Sequence, residues 1–373
     1  MTFIQIVIKH RLDFKQTYIM KHILFSLLFI TSFIFSCKKQ AVVVQSSNPW
    51  VEIPNLSLNS TINRLHATDD EMLIGTVDNF ARMSSAGTII ERRNLEVEKG
   101  VFGRPILSDK IFARVLKNVE NERELQFHLV KSVNQIYKIT DREIADSAEF
   151  IIFEELNNAY STGAFNEDAT QFLYAARSLN PQETQYTFFL FDIQLNASET
   201  QFQNINVAHR INIPSTLLGS EASMITNVRF FDGNYYISTL GGAYRIQPDG
   251  MWQQIFSHWI WDIFEFEGKL YSTGFYENQF YSSEDSGENW EFANANTPLR
   301  KVEVTGDKVF GQNQLGLPYQ LATEDFTTLQ EISYNSNFFD DEPTAYQAIE
   351  FFQGKFYISV HKRLYAVDEI VLK

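Results

Sequence analysis

The chain's single cysteine, Cys37, has a thiol that a sequence pattern assigns to a covalent modification. An apolar run of about 13 residues, 23–35, precedes it, and Lys21 lies just before that run. A basic start, a short apolar stretch and a small residue before the cleavage site are the parts of a secretory signal peptide. Ser36 and Cys37 lie on the two sides of the predicted cleavage site. The pattern therefore predicts that the thiol takes a lipid and that Cys37 becomes the new N-terminus.

This arrangement is typical of a bacterial lipoprotein. It predicts a signal peptide over residues 1–36, with Met20 as a more ordinary start than Met1, and a lipidated tether over residues 37–59. The alternative is an uncut transmembrane anchor, but the run is shorter than the roughly 20 residues that span a bilayer. Lys38 and Lys39 follow the cysteine, and the acidic stretch that would resemble a surface-export signal is missing after it. We therefore expect an outer-membrane position facing the periplasm, with the cell surface as the alternative.

Histidine and acidic side chains form no metal-site pattern in the sequence. The five histidines after Cys37 stand far apart, without the i, i+4 spacing of a helical zinc site. The acidic groups at 69–71 and 340–342 lack the alternating oxygen ligands and central glycine of a calcium loop. We expect no metal and no cofactor, and the sequence identifies no catalytic residue.

The charge balance limits the partners. The formal net charge is −15, and the segment before Cys37 contributes +3, so the exported part is near −18. A nucleic-acid-binding domain needs a basic footprint, and attraction to anionic lipid needs clustered lysine and arginine. We therefore expect no nucleic-acid partner, and we expect membrane attachment through acyl chains on Cys37, which hold firmly when there are several.

The exported part repeats a short hairpin pattern. An aromatic residue, a polar residue, a glycine and an aromatic-rich stretch occur at 231–238, 266–272 and 352–359, with a looser copy at 304–310. The glycine allows the positive φ of a tight turn between antiparallel strands. A strand with alternating aromatic and polar residues, such as Gly242–Ile246, follows each copy.

The spacing of these copies predicts a β-propeller. They lie about 35 to 48 residues apart, which is the length of a four-stranded blade. The predicted first strands begin near Ile62, Val101, Glu149, Ile225, Trp259, Leu299 and Ala345. We therefore expect an all-β fold, a single propeller of about seven blades over residues 60–373, with six or eight blades as alternatives.

A closed ring also explains how a chain with 33 Phe and 16 Tyr stays soluble. Each sheet buries both faces against its neighbours, and closure leaves only short strand edges. The last repeat ends abruptly at Lys373. We therefore expect a strand from the N-terminal segment, at 41–44 or at 50–53, to complete the last blade.

One motif points to a family. Residues 283–290 read Ser-Glu-Asp-Ser-Gly-Glu-Asn-Trp and fit the pattern S-x-D-x-G-x-x-W. This resembles the Asp-box, the hairpin signature of the sialidase-like (BNR) β-propeller superfamily, and the chain looks like a divergent member. The resemblance implies structural roles for Ser283, Asp285, Gly287 and Trp290. It places them between a third and a fourth strand, on the face opposite the usual binding site.

The same resemblance implies an alternative function, because the superfamily includes glycosidases. A sialidase-type enzyme needs three arginines, a tyrosine nucleophile with a carboxylate partner, and an acidic aspartate. Residues 102–106 read Phe-Gly-Arg-Pro-Ile, whereas the family order is Arg-Ile-Pro. No pattern joins Arg177, Arg229 and Arg245. A glycoside hydrolase or lyase is therefore the second hypothesis.

The preferred hypothesis is a non-enzymatic binding or scaffold module for a protein or glycan partner, since loops on a rigid scaffold are where binding commonly occurs. The third hypothesis is a structural assembly factor for an envelope complex. The candidate contacts are aromatic and apolar residues expected on one rim, with packing between blades as the alternative for the tryptophans. They are Trp259, Trp261, Leu240, Phe275 and Tyr276.

Overall fold

A computed structural model of the chain describes residues 50–56, 58, 60–95, 101–117, 123–132, 135–144, 151–153, 161–178, 185–214, 225–274, 279–294, 299–313, 318–322, 326, 328–332, 347–370 and 372. Residues Trp50–Lys373 cluster as one structural unit. The predicted signal peptide, the predicted lipid site Cys37 and the strand candidate at 41–44 lie outside the described residues. Within those ranges, no helix has the length and apolarity needed to cross a membrane.

The described residues form seven antiparallel sheets, which are the blades of a β-propeller. The strands in chain order are β1 (Val51–Glu52), β2 (Ile62–Ala67), β3 (Glu71–Thr76), β4 (Asn79–Ser84), β5 (Ile89–Asn94), β6 (Val101–Leu107), β7 (Ile111–Lys117), β8 (Arg123–Leu129), β9 (Ile136–Thr140), β10 (Ile151–Phe153), β11 (Gly163–Phe165), β12 (Gln171–Ser178), β13 (Gln185–Leu195), β14 (Phe202–Pro214), β15 (Ile225–Phe231), β16 (Asn234–Thr239), β17 (Gly242–Ile246), β18 (Trp252–Phe256), β19 (Ile260–Phe266), β20 (Lys269–Gly274), β21 (Phe280–Ser283), β22 (Glu291–Asn294), β23 (Leu299–Thr305), β24 (Lys308–Asn313), β25 (Pro318–Leu321), β26 (Leu329–Glu331), β27 (Ala348–Phe352), β28 (Lys355–Val360) and β29 (Arg363–Val367). One short helix, α1 (Asp141–Ile144), follows β9.

The strands divide into blades in chain order. Blade 1 contains β2–β5, blade 2 β6–β9, blade 3 β10–β14, blade 4 β15–β18, blade 5 β19–β22, blade 6 β23–β26, and blade 7 β27–β29 with β1. The prediction of an all-β propeller with about seven blades is confirmed. Each first strand begins within three residues of its predicted start. Blade 3 departs from the pattern, since its innermost strand is divided into β10 and β11, which both pair with β12.

The repeated glycine pattern forms the turn between the first and second strands. In blade 4, Asp232 and Gly233 have φ values of 49° and 68°, and the flanking Phe231 and Asn234 pair. Positive φ at both central residues is type I′ geometry, whose twist matches that of the strands it joins. The same positive φ pair occurs at Glu267 and Gly268 and at Gln353 and Gly354.

The N-terminal strand closes the ring, as predicted. In β1, Val51 pairs with Ala366 and Glu52 pairs with Tyr365, so β1 is the fourth strand of blade 7. The Ile53 N–H donates to the Leu364 carbonyl at 2.8 Å. Blade 7 is therefore built from both ends of the propeller.

Strand direction gives the propeller two faces. Successive strands of each blade are antiparallel, so their connections alternate between the two ends. We call upper the face with the links between blades and the loops between second and third strands, and lower the face with the other hairpin turns. Neighbouring first strands contact one another around the ring, from β2 through β6, β11, β15, β19 and β23 to β27. These strands enclose the central channel.

Apolar clusters of the described residues occupy each interface between neighbouring blades. The cluster between blades 1 and 2 is small, and a buried polar group lies beside it. There Arg114 donates to the Gln126 side-chain carbonyl at 2.9 Å, and His128 is 4% exposed. Burial, together with the nearby Arg114, lowers the pKa of His128 to about 3. Arg114 Nε also donates to the His128 Nε2 atom at 3.3 Å, so polar contacts replace part of the apolar contact at this interface.

Candidate functional site in the central channel

A cavity of about 200 Å³ lies in the central channel among the first strands of blades 1, 2, 3, 4 and 6. Arg64 on β2, Arg229 on β15 and Glu303 on β23 supply its charged groups. Ile106 and Phe165 contribute apolar surface from blades 2 and 3. Because side chains alternate along a strand, each inner strand can pack one set against its blade and present the other to the channel.

Asp262 on β19 fixes one of these arginines. Its side chain is fully buried, and its Oδ1 accepts from Arg229 Nε at 3.0 Å and from Asn227 Nδ2 at 2.8 Å. Its Oδ2 accepts from an Arg229 terminal nitrogen at 2.8 Å and from the Val302 N–H at 2.9 Å. Burial alone would lower the pKa of Arg229, but Asp262 outweighs burial and raises it above the usual range. With both oxygens occupied, Asp262 acts as a positioning residue.

Glu303 lies between three cations. Lys301 Nζ is 2.6 Å from its Oε1, whereas the Arg64 and Arg229 guanidinium nitrogens are 3.9 and 4.0 Å from its two oxygens. Burial alone would raise the pKa of Glu303, but these cations lower it to about 2. Lys301 is 1% exposed and also donates to the Gln347 carbonyl at 2.9 Å. Burial lowers the pKa of Lys301 to about 8, despite Glu303.

Glu350 on β27 is the second unusual carboxyl group. Its Oε1 accepts from the Thr305 hydroxyl at 2.7 Å and from the Phe351 N–H at 3.0 Å. Burial raises the pKa of Glu350 to about 7, against the Thr305 hydrogen bond, and the charge of Glu303 adds to the rise. Near neutral pH, Glu350 is therefore partly protonated while Glu303 is ionised.

A bulge in β6 adds a further cation. The register shifts between Phe102 and Ile106, where the strand carries extra residues that include Arg104 and Pro105. Pro105 thus lies inside a strand, and it packs against Gly75, where an added Cβ would lie 3.1 Å from its ring. Burial lowers the pKa of Arg64 to about 10, with Arg104 and Arg229 adding to the decrease and Glu303 opposing it.

Cations are in excess among the described channel groups that act on one another. Apart from His66, four of them are basic and three are carboxyl groups: Arg64, Arg104, Arg229 and Lys301, with Asp262, Glu303 and Glu350. The described ranges contain no group of three or more histidine, cysteine, aspartate or glutamate side chains that could hold a metal ion.

The predicted rim contacts lie elsewhere. Trp259, on the upper-face link between blades 4 and 5, is 44% exposed. Trp261 is 7% exposed, and the Arg300 guanidinium lies 4.6 Å from its ring centroid. Leu240 is 8% exposed. None of these three residues lines the cavity, and the burial of Trp261 and Leu240 favours a packing role. The other two predicted contacts, Phe275 and Tyr276, lie outside the described residues.

The S-x-D-x-G-x-x-W segment forms the lower-face turn between β21 and β22. Asp285 Oδ1 accepts from the Ser283 hydroxyl at 2.8 Å and from the Asn289 N–H at 2.8 Å. Gly287 has φ +93° and donates its N–H to the Ser283 hydroxyl at 2.9 Å. Trp290 Nε1 donates to the Ile255 carbonyl of blade 4 at 2.8 Å. These contacts stabilise the turn, and the assignment of the segment to the Asp-box superfamily stays a prediction.

The sequence did contain a signal for the channel residues. Polar or charged side chains stand two positions apart on the first strands, as with Arg64 and His66 or Lys301 and Glu303. The first strands were located correctly, so these pairs could have been assigned to the channel. Of the arginines considered in the sequence, Arg229 enters the channel, whereas Arg245 binds the Ser286 carbonyl at 2.9 Å on the lower face.

Comparison with known proteins shows the fold alone. No protein-family model and no curated protein sequence matches the chain. Among solved structures, it is similar to the extracellular domain of a one-component system from B. thetaiotaomicron, with 11% identity and a TM-score of 0.53. The match covers 86% of this chain and 40% of that one, so this chain spans less than half of the longer protein.

A second similar structure is the β-propeller domain of the Trilobed protease from Pyrococcus furiosus. It has 12% identity and a TM-score of 0.50, and the match covers 84% of this chain and 97% of that one. That domain is described as having an open velcro topology. In the present chain, by contrast, β1 pairs with β29 and completes blade 7.

Proposed function

We propose that the chain is a lipid-anchored β-propeller of the bacterial cell envelope that binds a protein or glycan partner without converting it. The observation that carries the binding role is the channel cavity, where Arg64 and Arg229 face Glu303. The carboxylate of Asp262 is fully occupied by four donors, so it orients Arg229 and has no oxygen left for a nucleophilic or proton-transfer role. These features suit recognition of a ligand better than its conversion.

The envelope location rests on the sequence before the propeller. The apolar run and Cys37 support export and lipid attachment. The acyl chains would hold the acidic protein at a membrane to which its own charge does not attract it. The similar B. thetaiotaomicron structure is an extracellular domain, a location that agrees with the proposal. A divergent relationship to the Asp-box superfamily belongs to the same proposal.

The anchor is tested by labelling cells that produce the full chain with a palmitate analogue. We expect label on the wild-type protein in the membrane fraction, and no label on Cys37→Ala, whose thiol is missing. Equal labelling of both proteins would reject Cys37 as the lipid site.

The binding role is tested with the full chain purified in mild detergent. The protein is applied to a glycan array and, separately, cross-linked in intact cells. A channel variant, Arg64→Gln, is compared with Lys362→Gln, which removes the same charge at an exposed turn of blade 7. We expect a partner that is retained unchanged, bound at least tenfold more weakly by Arg64→Gln and equally well by Lys362→Gln. Equal binding by both variants would exclude the channel as the binding site.

A glycoside hydrolase or lyase is the second candidate, and one observation favours it. Glu303 has a pKa lowered to about 2, with Lys301 the strongest of the cations that overcome burial, and Glu350 has a pKa raised by burial to about 7. Two carboxyl groups whose pKa values are pushed apart can serve as base and acid. Release of reducing or unsaturated sugars from array-positive glycans, abolished by Glu350→Gln, would support an enzyme. Retention of those glycans without product would reject it.

A further inference from the structure

We infer that the channel cavity binds one oxyanionic group, a carboxylate, sulfate or phosphate monoester, between the guanidinium groups of Arg64 and Arg229. The inference deepens the proposed binding function and rests on it. It names the chemistry that a partner must present, whether that group belongs to a small molecule or to one substituent of a larger one.

Arg64 and Arg229 both line the cavity, beside the carboxylate of Glu303. Their nitrogens lie 3.9 and 4.0 Å from the two oxygens of Glu303, beyond the 2.7–3.2 Å typical of direct hydrogen bonds. The Arg64 side chain is 15% exposed and that of Arg229 is 20% exposed. A planar guanidinium presents paired N–H donors that match the geometry of carboxylate and phosphate oxygens.

One of the two arginines is held in a fixed orientation before any ligand arrives. Asp262 accepts two hydrogen bonds from Arg229, and Asp262 itself is fixed by Asn227 and by the Val302 N–H. A donor that is already ordered loses little conformational entropy when it binds, which favours affinity. Asp262 takes the Nε and one terminal nitrogen of Arg229, so the other terminal nitrogen, which lies 4.0 Å from Glu303, is the donor that this rigid side of the site presents to a ligand.

The charge of the channel favours an anion. The channel has four basic groups and three carboxyl groups, so one basic group is left over when each carboxyl group is paired with a basic group. The lowered pKa of Arg64 has burial as its main cause, and repulsion by Arg104 and Arg229 adds to it. A bound oxyanion would offset this repulsion inside a partly dehydrated cavity, where charges interact more strongly than in water.

Size and net charge narrow the ligand to a single acidic group. A cavity of about 200 Å³ holds roughly six or seven water-sized volumes at about 30 Å³ each, which is room for one small acidic group. The exported part carries a net charge near −18, so its exterior repels polyanions. The apolar contribution of Ile106 and Phe165 suits a ligand whose acid is attached to a less polar body.

The test is a titration with sodium sulfate and with sodium glucuronate, followed by calorimetry and by the unfolding temperature, at an ionic strength held constant with chloride. We expect saturable binding of at least one probe by the wild type and by Lys362→Gln, the surface control. Arg64→Gln should bind at least tenfold more weakly. Glu303→Gln should bind more tightly, because it removes the carboxylate that competes for both arginines.

The affinity should fall in Arg64→Gln and rise in Glu303→Gln. These opposite changes distinguish a specific anion site from a general effect of salt. Equal affinity in Arg64→Gln and Lys362→Gln, or weaker binding by a folded Glu303→Gln, would overturn the inference. If circular dichroism shows that Arg64→Gln is unfolded, Arg104→Gln replaces it and should also weaken binding. Dextran sulfate should bind more weakly than sulfate per charged group, and tighter binding would reject the single-group selectivity.

The outcome separates this inference from the proposed function. If the envelope or glycan partner is still bound but neither probe is, the oxyanion site is wrong and the binding role stands. If the probes bind in the expected order but no partner is retained, the site stands and the proposed role as a partner-binding module fails.

Discussion

Gly287 of blade 5 lies directly against Ile255 of blade 4, so closely that an added Cβ would be 2.9 Å from the Ile255 Cδ1 atom. Gly287 belongs to the lower-face turn, and Ile255 lies on β18, the outer strand of the preceding blade. Trp290, from the same turn, donates its indole N–H to the Ile255 carbonyl. The turn therefore joins two blades as well as two strands.

Replacing Gly287 should cost more than replacing a glycine that makes only a turn. Gly287→Ala places a methyl group at φ +93° and against Ile255, whereas Gly268→Ala places one at φ +76° with nothing within 4 Å. The positive φ costs each variant about 1–2 kcal/mol, and overpacking adds about 1–3 kcal/mol at Gly287 alone. Urea unfolding measures the difference. Equal losses of stability would mean that blade 4 yields to the added methyl group.

Removing the charge of Asp262 should destabilise the propeller strongly. Asp262→Asn leaves the partly buried Arg229 guanidinium without its fully buried carboxylate partner, and breaking a buried pair in this way costs about 3–5 kcal/mol. The matched control is Asp368→Asn, since Asp368 is 83% exposed and pairs with Lys355 at 2.8 Å. We expect little change there, because exposed ion pairs contribute little. Thermal unfolding of both variants gives the comparison, and similar losses would contradict the anchoring role of Asp262.

Glu350 should make stability depend on pH in a direction unusual for a carboxyl group. Burial raises its pKa from 4.5 to about 7, so the folded state holds this proton more tightly than the unfolded chain does. Its contribution is fully present below about pH 4.5 and is lost as the pH rises through about 7. Relative to the wild type, Glu350→Gln should therefore gain about 2–3 kcal/mol between pH 4.5 and pH 7.5. Chemical denaturation at several pH values measures this difference.

The stability of Glu350→Gln must be compared with that of the wild type at each pH, because His128 changes stability with pH in the opposite direction. Its pKa is lowered from 6.5 to about 3, chiefly by burial, so its contribution is present above pH 6.5 and is lost as the pH falls towards 3. The difference curve between wild type and Glu350→Gln cancels this background. The groups that act on Glu350 are Thr305, Glu303 and His66. A flat difference curve between pH 4.5 and 7.5 would show that Glu350 ionises normally.

The fold was largely predictable because its local signals are strong. The turns at Asp232 and Gly233 and at Gln353 and Gly354 need positive φ, and a polar residue followed by glycine is how a sequence specifies this geometry. Blade 3 was harder to predict, because its inner strand is divided in two and no glycine turn marks the division.

The channel could be predicted only in part, since its properties arise from residues far apart in the chain. Arg229 and Asp262 are 33 positions apart, and Glu303 meets Arg64 from the opposite half of the sequence. Alternation places such residues on inner strands, but it does not determine which charges meet. The pKa of Glu350 depends on burial and on Glu303, which lies on the first strand of the neighbouring blade.

We expect Trp50, the residue before the closing strand, to hold that strand in place. Trp50 is 5% exposed and belongs to the apolar cluster between blades 6 and 7, together with Phe356 and Ile358. Trp50→Ala should cost about 3–5 kcal/mol, as is typical for a buried tryptophan. The neighbouring Val51 is 65% exposed, so Val51→Ala should change stability by about 0.5 kcal/mol or less.

Hydrogen exchange shows whether Trp50→Ala loses stability because the closing strand β1 is loosened. The Ile53 N–H bonds to the Leu364 carbonyl at 2.8 Å, so loosening the closing strand should expose it to solvent. We expect Trp50→Ala to speed exchange at Ile53 far more than at Tyr236, a fully buried residue of blade 4. Val51→Ala should leave both rates near those of the wild type. If Trp50→Ala speeds exchange equally at both positions, the tryptophan stabilises the propeller as a whole without holding the N-terminal strand in place, and blade 7 closes through its backbone pairing alone.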